Sequence, residues 1–131
     1  MLKTESLIMS ENTPQPVNIK LHQKSRILEL EYEDGMHFEL ACEYLRVYSP
    51  SADVKGHGPG QEVLQTGKEN VNIKEIEPIG NYAVKLIFDD GHSTGLYSWG
   101  YLYELGVDQE SNWISYLDAL KQAGHVRQRH D

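Results

Sequence analysis

Six histidines and one cysteine are the side chains with which this chain could hold a metal or activate a nucleophile. The glycines of SPSADVKGHGPGQ, residues 49–61, are those with which it could cradle a phosphate. The phosphate reading fails on spacing. Glycines stand at 56, 58 and 60, but a dinucleotide fingerprint needs its third glycine at 61, where the chain has Gln61. Pro59 also removes one of the amide donors such a cradle would use. Thr66-Gly67-Lys68-Glu69 resembles the end of a P-loop, but Glu69 stands where Ser or Thr belongs and no glycine sits five residues before Gly67. This segment reads instead as a long connection punctuated by glycine and proline.

Nucleophilic catalysis finds no better support. Ser49, Ser51, Ser93 and Ser98 have no nucleophile-elbow context. Asp89-Asp90 belongs to a turn, where paired acids serve geometry and solubility. No Cys-x-x-Cys or His-x-x-x-His pair occurs, and His125 and His130, five residues apart, do not share a helical face. His92 is placed on one strand face with Thr94 and Leu96, pointing inward, and reads as a satisfied core histidine. Cys42 reads as a small buried hydrophobe.

The elements that must position these residues follow from periodicity. Val17–Leu21 alternates as a short strand. Leu28, Leu30 and Tyr32 then share one face against Glu29, Glu31 and Glu33 on the other. Asp34-Gly35 supplies the positive-φ pair of a tight hairpin turn, and Met36, Phe38 and Leu40 return on one face. A short helix with Tyr44, Leu45 and Tyr48 follows. Residues 83–103, AVKLIFDDGHSTGLYSWGYLY, repeat the pattern 56 residues on, with Asp90-Gly91 as the turn and Tyr101-Leu102 in the helix, the Tyr-Leu pairs slipped by one. Common hairpin-helix patterning reached twice explains this match as well as a shared origin does.

Between the two units, Val71, Ile73 and Ile76 predict a further strand with a bulge near Glu75. Trp113, Tyr116, Leu117 and Leu120 predict an amphipathic helix over 109–123, ended by Gly124. The fold class is therefore α+β: two β-hairpin-plus-helix units jointly building one antiparallel sheet, helices covering one face, and a C-terminal amphipathic helix. The polar residues 1–16 read as a flexible tail, 17–124 as a single domain and 125–131 as a C-terminal tail that is mobile or docks weakly.

Twelve Lys and Arg against 20 Asp and Glu give a net charge of −8. A field of that sign disfavours nucleic acid and anionic membrane surfaces as partners. A single cysteine excludes an internal disulfide, and no apolar run reaches the length of a signal segment or a membrane span. The expected compartment is the cytoplasm.

LRVYSPSADVKGHGPG and FDDGHSTGLYSWGYLYEL together resemble the gamma-butyrobetaine hydroxylase-like N-terminal domain family, over about residues 20–106. Small bacterial proteins of this type consist of little else. The resemblance implies a domain that precedes the catalytic domain of iron- and 2-oxoglutarate-dependent carnitine-pathway hydroxylases, or that is appended to P-loop carriers of iron–sulfur cluster assembly. In the hydroxylases it implies a zinc ion held by three cysteines of a CPCSDC stretch and one later histidine. Laid on this chain, that stretch falls on Ser49, Pro50, Ser51, Ala52, Asp53 and Val54, and the histidine on His92. All three cysteine positions are lost, so no metal or other cofactor is expected, with His92 the one remaining candidate ligand. The loop is expected to be held instead by Pro and Gly geometry and by Ser and Asp hydrogen bonds, with His92 bonded to it. The hydroxylase chemistry, which the resemblance places in a separate catalytic domain, is not expected of these residues. His37-Phe-Glu39 formally matches part of a facial iron triad but lies on the polar face of its strand.

The expected function is a non-catalytic interaction module. It would dock on a protein partner, such as a metalloenzyme or a cluster-assembly protein, through Ser49, Ser51, Asp53 and His57 with the aromatics Tyr97, Trp99 and Tyr101. For Trp99, core packing and surface exposure stand as equal readings. The alternative is a metal-binding module for iron or zinc assisting iron–sulfur assembly or a metalloenzyme, with His92 joined by Cys42, His57 or Asp53. A small enzyme has no constellation behind it.

Overall fold

A computed structural model describes residues 13–56, 58 and 60–128. Strands β1 (Pro16–His22), β2 (Ile27–Tyr32) and β3 (His37–Ala41) lead into helices α1 (Cys42–Val47) and α2 (Ala52–Lys55). Strands β4 (Ile73–Ile79), β5 (Ala83–Phe88) and β6 (Leu96–Ser98) lead into α3 (Trp99–Val107) and α4 (Gln109–Gln122). The α+β class, the two hairpin-plus-helix units and the C-terminal helix agree with the sequence. The strands, however, form two three-stranded antiparallel sheets, β1-β2-β3 and β4-β5-β6, not one. The inner faces of both sheets close with α1 and α3 on one apolar cluster, in which Leu28, Leu30, Leu40, Leu45, Ile73, Leu86 and Leu102 are fully buried. Burying each such side chain stabilises the fold by about 1.5–3 kcal/mol. Among the described residues no helix is long and apolar enough to cross a membrane.

The two units share a set of turn and crossover hydrogen bonds at an offset of 56 or 57 residues. Tyr32 N donates to Met36 O and Phe88 N to His92 O; Gly35 N donates to Tyr32 O and Gly91 N to Phe88 O. Asp34 Oδ1 accepts from Met36 N, and Asp90 Oδ1 from His92 N. Both outer strands carry the same register shift, between Pro16 and Asn18 and between Ile73 and Glu75, which places the expected bulge. The helices cross over reciprocally: Tyr44 OH donates to Leu105 O at 2.6 Å, and Tyr101 OH to Tyr48 O at 2.6 Å. These matched bonds define a pseudo-twofold arrangement.

The turns depart from expectation in one respect. Gly35 and Gly91 have φ of 90° and 92°, but Asp34 and Asp90 do not have positive φ. Each hairpin loop therefore has three residues, with the glycine alone in the left-handed region and the aspartate bonding its own chain. Register demands an odd-numbered loop, because Leu28, Leu30 and Phe38, Leu40 share the inner face and pair directly, and the Tyr32–Met36 bond sets its length at three. The chain after Gly91 also stays irregular until Leu96, so His92 is not on a strand.

Residues 125–128 are tied to the body more firmly than a loose tail. Arg127 makes two hydrogen bonds to the buried carboxylate of Glu43, at 2.6 and 2.8 Å, and Gln128 N donates to Glu69 Oε2. Tyr116 of α4 donates to the same Glu43 at 2.7 Å.

Candidate functional site

Helix α1 stops at Tyr48 because Pro50 holds the preceding residue out of helical geometry. The chain then turns back under the 92–95 segment. Ser49, fully buried, shares a hydrogen bond of 2.9 Å with His92 Nε2, and its Oγ accepts from Ser51 N. Ser51 bonds Thr94 Oγ1 at 2.8 Å and caps α2 by accepting from Asp53 N at 3.1 Å. Two hydroxyls, one imidazole and one threonine thus latch the loop to the strand approach of β6. Gly95 makes room for it: a Cβ there would lie 2.5 Å from Ser49 Oγ and 3.1 Å from Pro50 Cδ. The hydrogen bond expected between His92 and the loop is this one.

A charged corner flanks the latch. Arg46 Nε donates to Asp90 Oδ2 at 2.9 Å and Nη1 to Gln65 Oε1 at 3.0 Å, while Lys68 Nζ reaches Asp90 Oδ2 at 2.9 Å. Burial alone would raise the Asp90 carboxyl, but hydrogen bonds from Lys68, the His92 amide and Arg46 prevail and hold it at about 2. Burial, then the Arg46 charge, pushes the His92 imidazole below its ordinary value. In the other unit Asp34 takes a hydroxyl from Tyr103 in place of a guanidinium.

Beyond the latch the loop forms one wall of a groove of about 750 Å³, lined by Val47, Val54, Val63, Leu64, Tyr101 and Tyr116 among others. Val63 N donates to Val54 O at 2.8 Å, closing the loop on itself. Val63 and Leu64, adjacent aliphatic side chains lining the groove, are 52% and 39% exposed. Lys55 lies 4.8 Å from the centre of the Tyr101 ring, a cation–π contact.

The residues singled out from the sequence fare differently. Ser49 and Ser51 are buried, so they hold the loop and cannot themselves touch a partner. Tyr97 is fully buried with its hydroxyl on Leu45 O at 2.7 Å, a core residue and not a docking surface. Trp99 is half-buried, packs against the core and donates its Nε1 to Asn81 O at 2.8 Å, which favours packing over display. Asp53 is exposed, Tyr101 lines the groove, and His57 lies outside the described residues. Cys42 is buried at the start of α1, its Sγ 3.8 Å from Asn72 Oδ1. Spacing alone did not mark Arg46, Val63, Leu64 or Gln65. The exposed Val-Leu pair in an otherwise polar stretch was the available signal.

Of the positions laid on a four-ligand zinc site, Ser49 meets His92 and Ser51 N donates to Ser49 Oγ, but the residues there do not fit the ion. Serine hydroxyls stay protonated near neutral pH, Val54 offers a buried isopropyl group, and the His92 Nε2 is engaged by Ser49. The pair is no catalytic dyad either, since Ser49 has no exposed surface for a substrate to reach.

A family model described as gamma-butyrobetaine hydroxylase-like, N-terminal, matches residues 19–103. Two NMR solution structures are similar at 53% and 46% identity, each over 92% of this chain and over 89% and 94% of theirs, both with a TM-score of 0.78. A crystal structure of a protein of unknown function of the DUF971 family from Acidithiobacillus ferrooxidans is 40% identical, over 70% of this chain and 92% of that one, with a TM-score of 0.60. No curated protein matches the chain.

Proposed function

The chain belongs to the gamma-butyrobetaine hydroxylase-like N-terminal family, and we propose that it acts as a non-catalytic accessory domain that binds a protein partner through the groove beside residues 54–65. The observation that carries this reading is the exposed Val63-Leu64 pair over an apolar groove backed by Tyr101 and Tyr116. Apolar surface gathered in a concavity and rimmed by polar groups is how soluble proteins hold one another. The partner segment has a stated chemistry: aliphatic or aromatic anchors for the groove with basic residues around them, since this chain carries −8. A metalloenzyme or an iron–sulfur assembly protein is the class of partner the family suggests. The latch supports the reading by fixing the groove wall, so that little ordering entropy is lost on binding. A cytoplasmic setting belongs to the same proposal.

The test compares wild-type protein with a Val63→Asp, Leu64→Asp variant whose circular dichroism and thermal unfolding match wild type. A partner is first purified by affinity to the wild type. It should shift the amides of Val54, Val63 and Leu64 on titration and lose at least about tenfold in affinity for the variant, the effect of about 1.4 kcal/mol. Equal binding to both proteins would overturn the proposal.

A further inference from the structure

The outer face of the β1-β2-β3 sheet, opposite the core, carries a second cluster with ligand chemistry. Glu29 on the central strand is clamped from both sides: His22 Nε2 of β1 lies 2.7 Å from its Oε1, and His37 Nε2 of β3 lies 2.7 Å from its Oε2. Glu39 of β3 stands directly opposite Glu29 in the register. Among the described residues, Glu29, His37 and Glu39 are the group of three or more His, Cys, Asp or Glu whose donor atoms all lie within 4.8 Å of one another. We propose that Glu29, His37 and Glu39, with His22 as a fourth ligand, bind a divalent transition-metal ion of the zinc class.

The fold does not demand this cluster. In the second unit the pair equivalent to Glu29–Glu39 is Lys85–Leu96, and the position equivalent to His22 is Ile79, so the same architecture stands without donors. Two carboxylates directly opposite on neighbouring strands repel each other. Lys20 of β1 stands opposite Glu29 and, with His22 and His37, offsets part of that repulsion; a cation bound between the two carboxylates would offset the rest. The ligand set decides which cation. Mg²⁺ and Ca²⁺ take oxygen donors, whereas mixed imidazole and carboxylate sets suit Zn²⁺, Fe²⁺ and their neighbours. Donors bound at roughly 2.0–2.2 Å sit about 3–4 Å apart, so modest side-chain rotation closes the spacing of Glu29, His37 and Glu39, while His22, 2.7 Å from Glu29, must swing further to join them. The sheet backbone holds all four positions, and the two histidine side chains are each 46% exposed, leaving the ion an open path in. This site lies apart from the groove, and its fate does not depend on the partner-binding reading.

The probe is ZnCl₂, titrated calorimetrically into full-length, untagged protein stripped of metal. Saturable binding of one ion per chain is expected, with the ring signals of His22 and His37 shifting in the NMR spectrum. His37→Gln and Glu29→Gln should abolish saturable binding while leaving thermal unfolding in the metal-free state close to wild type, and His92→Gln should retain it. Absence of saturable binding by the wild type overturns the proposal. So does binding that survives both His37→Gln and Glu29→Gln, or that is lost only with His92→Gln.

Discussion

Asp90 is where several single residues meet. Its carboxylate takes Arg46, Lys68 and the amide of His92, and the resulting pKa of about 2 lies well below the ordinary value of 3.8. A depressed carboxyl stabilises the folded state fully above its unfolded pKa, and that contribution fades as pH falls from about 4 towards 2. Because the pair is partly solvated, the contribution is about 1–2 kcal/mol, not the full linkage value. Urea unfolding of wild type and Asp90→Asn across this range should give curves that differ above pH 4 and converge near pH 2. A constant difference at every pH would remove Asp90 from the account. Some of this corner was legible in sequence and some was not. The Asp-Gly dipeptide announced a turn, but that Arg46, 44 residues away, closes on it depends on how the two units cross.

Helices and strands were legible where alternation or helical spacing ran over several residues. Inward Leu28, Leu30 and Tyr32 and inward Val84, Leu86 and Phe88 fixed both central strands and their shared core. The same alternation contained the three-residue loop, because inward residues on both arms can pair only across an odd-numbered turn. Dipeptide preference favoured a two-residue turn, and register won. Harder to see were donors contributed by neighbouring strands. His37-Phe-Glu39 looked like an idle polar face until the register placed Glu29 and His22 beside it. Helix packing follows the pseudo-twofold as well. Phe38 rests on Gly106, where a Cβ would lie 2.5 Å from the ring, just as Ser49 rests on Gly95. Gly106→Ala should therefore destabilise the protein by about 1–3 kcal/mol through overpacking, despite the better helix propensity of alanine. Thermal or urea unfolding checks the sign; an unchanged or raised stability would show that α3 and β3 yield freely.

On the scale of the whole molecule, two near-equivalent units have been given different surfaces. One outer face gathers imidazoles and carboxylates, and the other unit's turn carries the hydroxyl–imidazole latch that braces the groove. Composition showed the acidity of the whole, but not this division of labour, since it arises from residues 43 apart in the chain meeting at Ser49–His92 and Ser51–Thr94. The central claim is that hydrogen bonds, and no metal, hold the loop that shapes the groove. Amide hydrogen exchange at Asp53, Val54, Lys55 and Val63 tests it most directly, measured with excess EDTA and again with added Zn²⁺. The account predicts the same protection at all four amides in both conditions, whatever happens at His37 on the far face. Protection that collapses in EDTA and returns with zinc would contradict it.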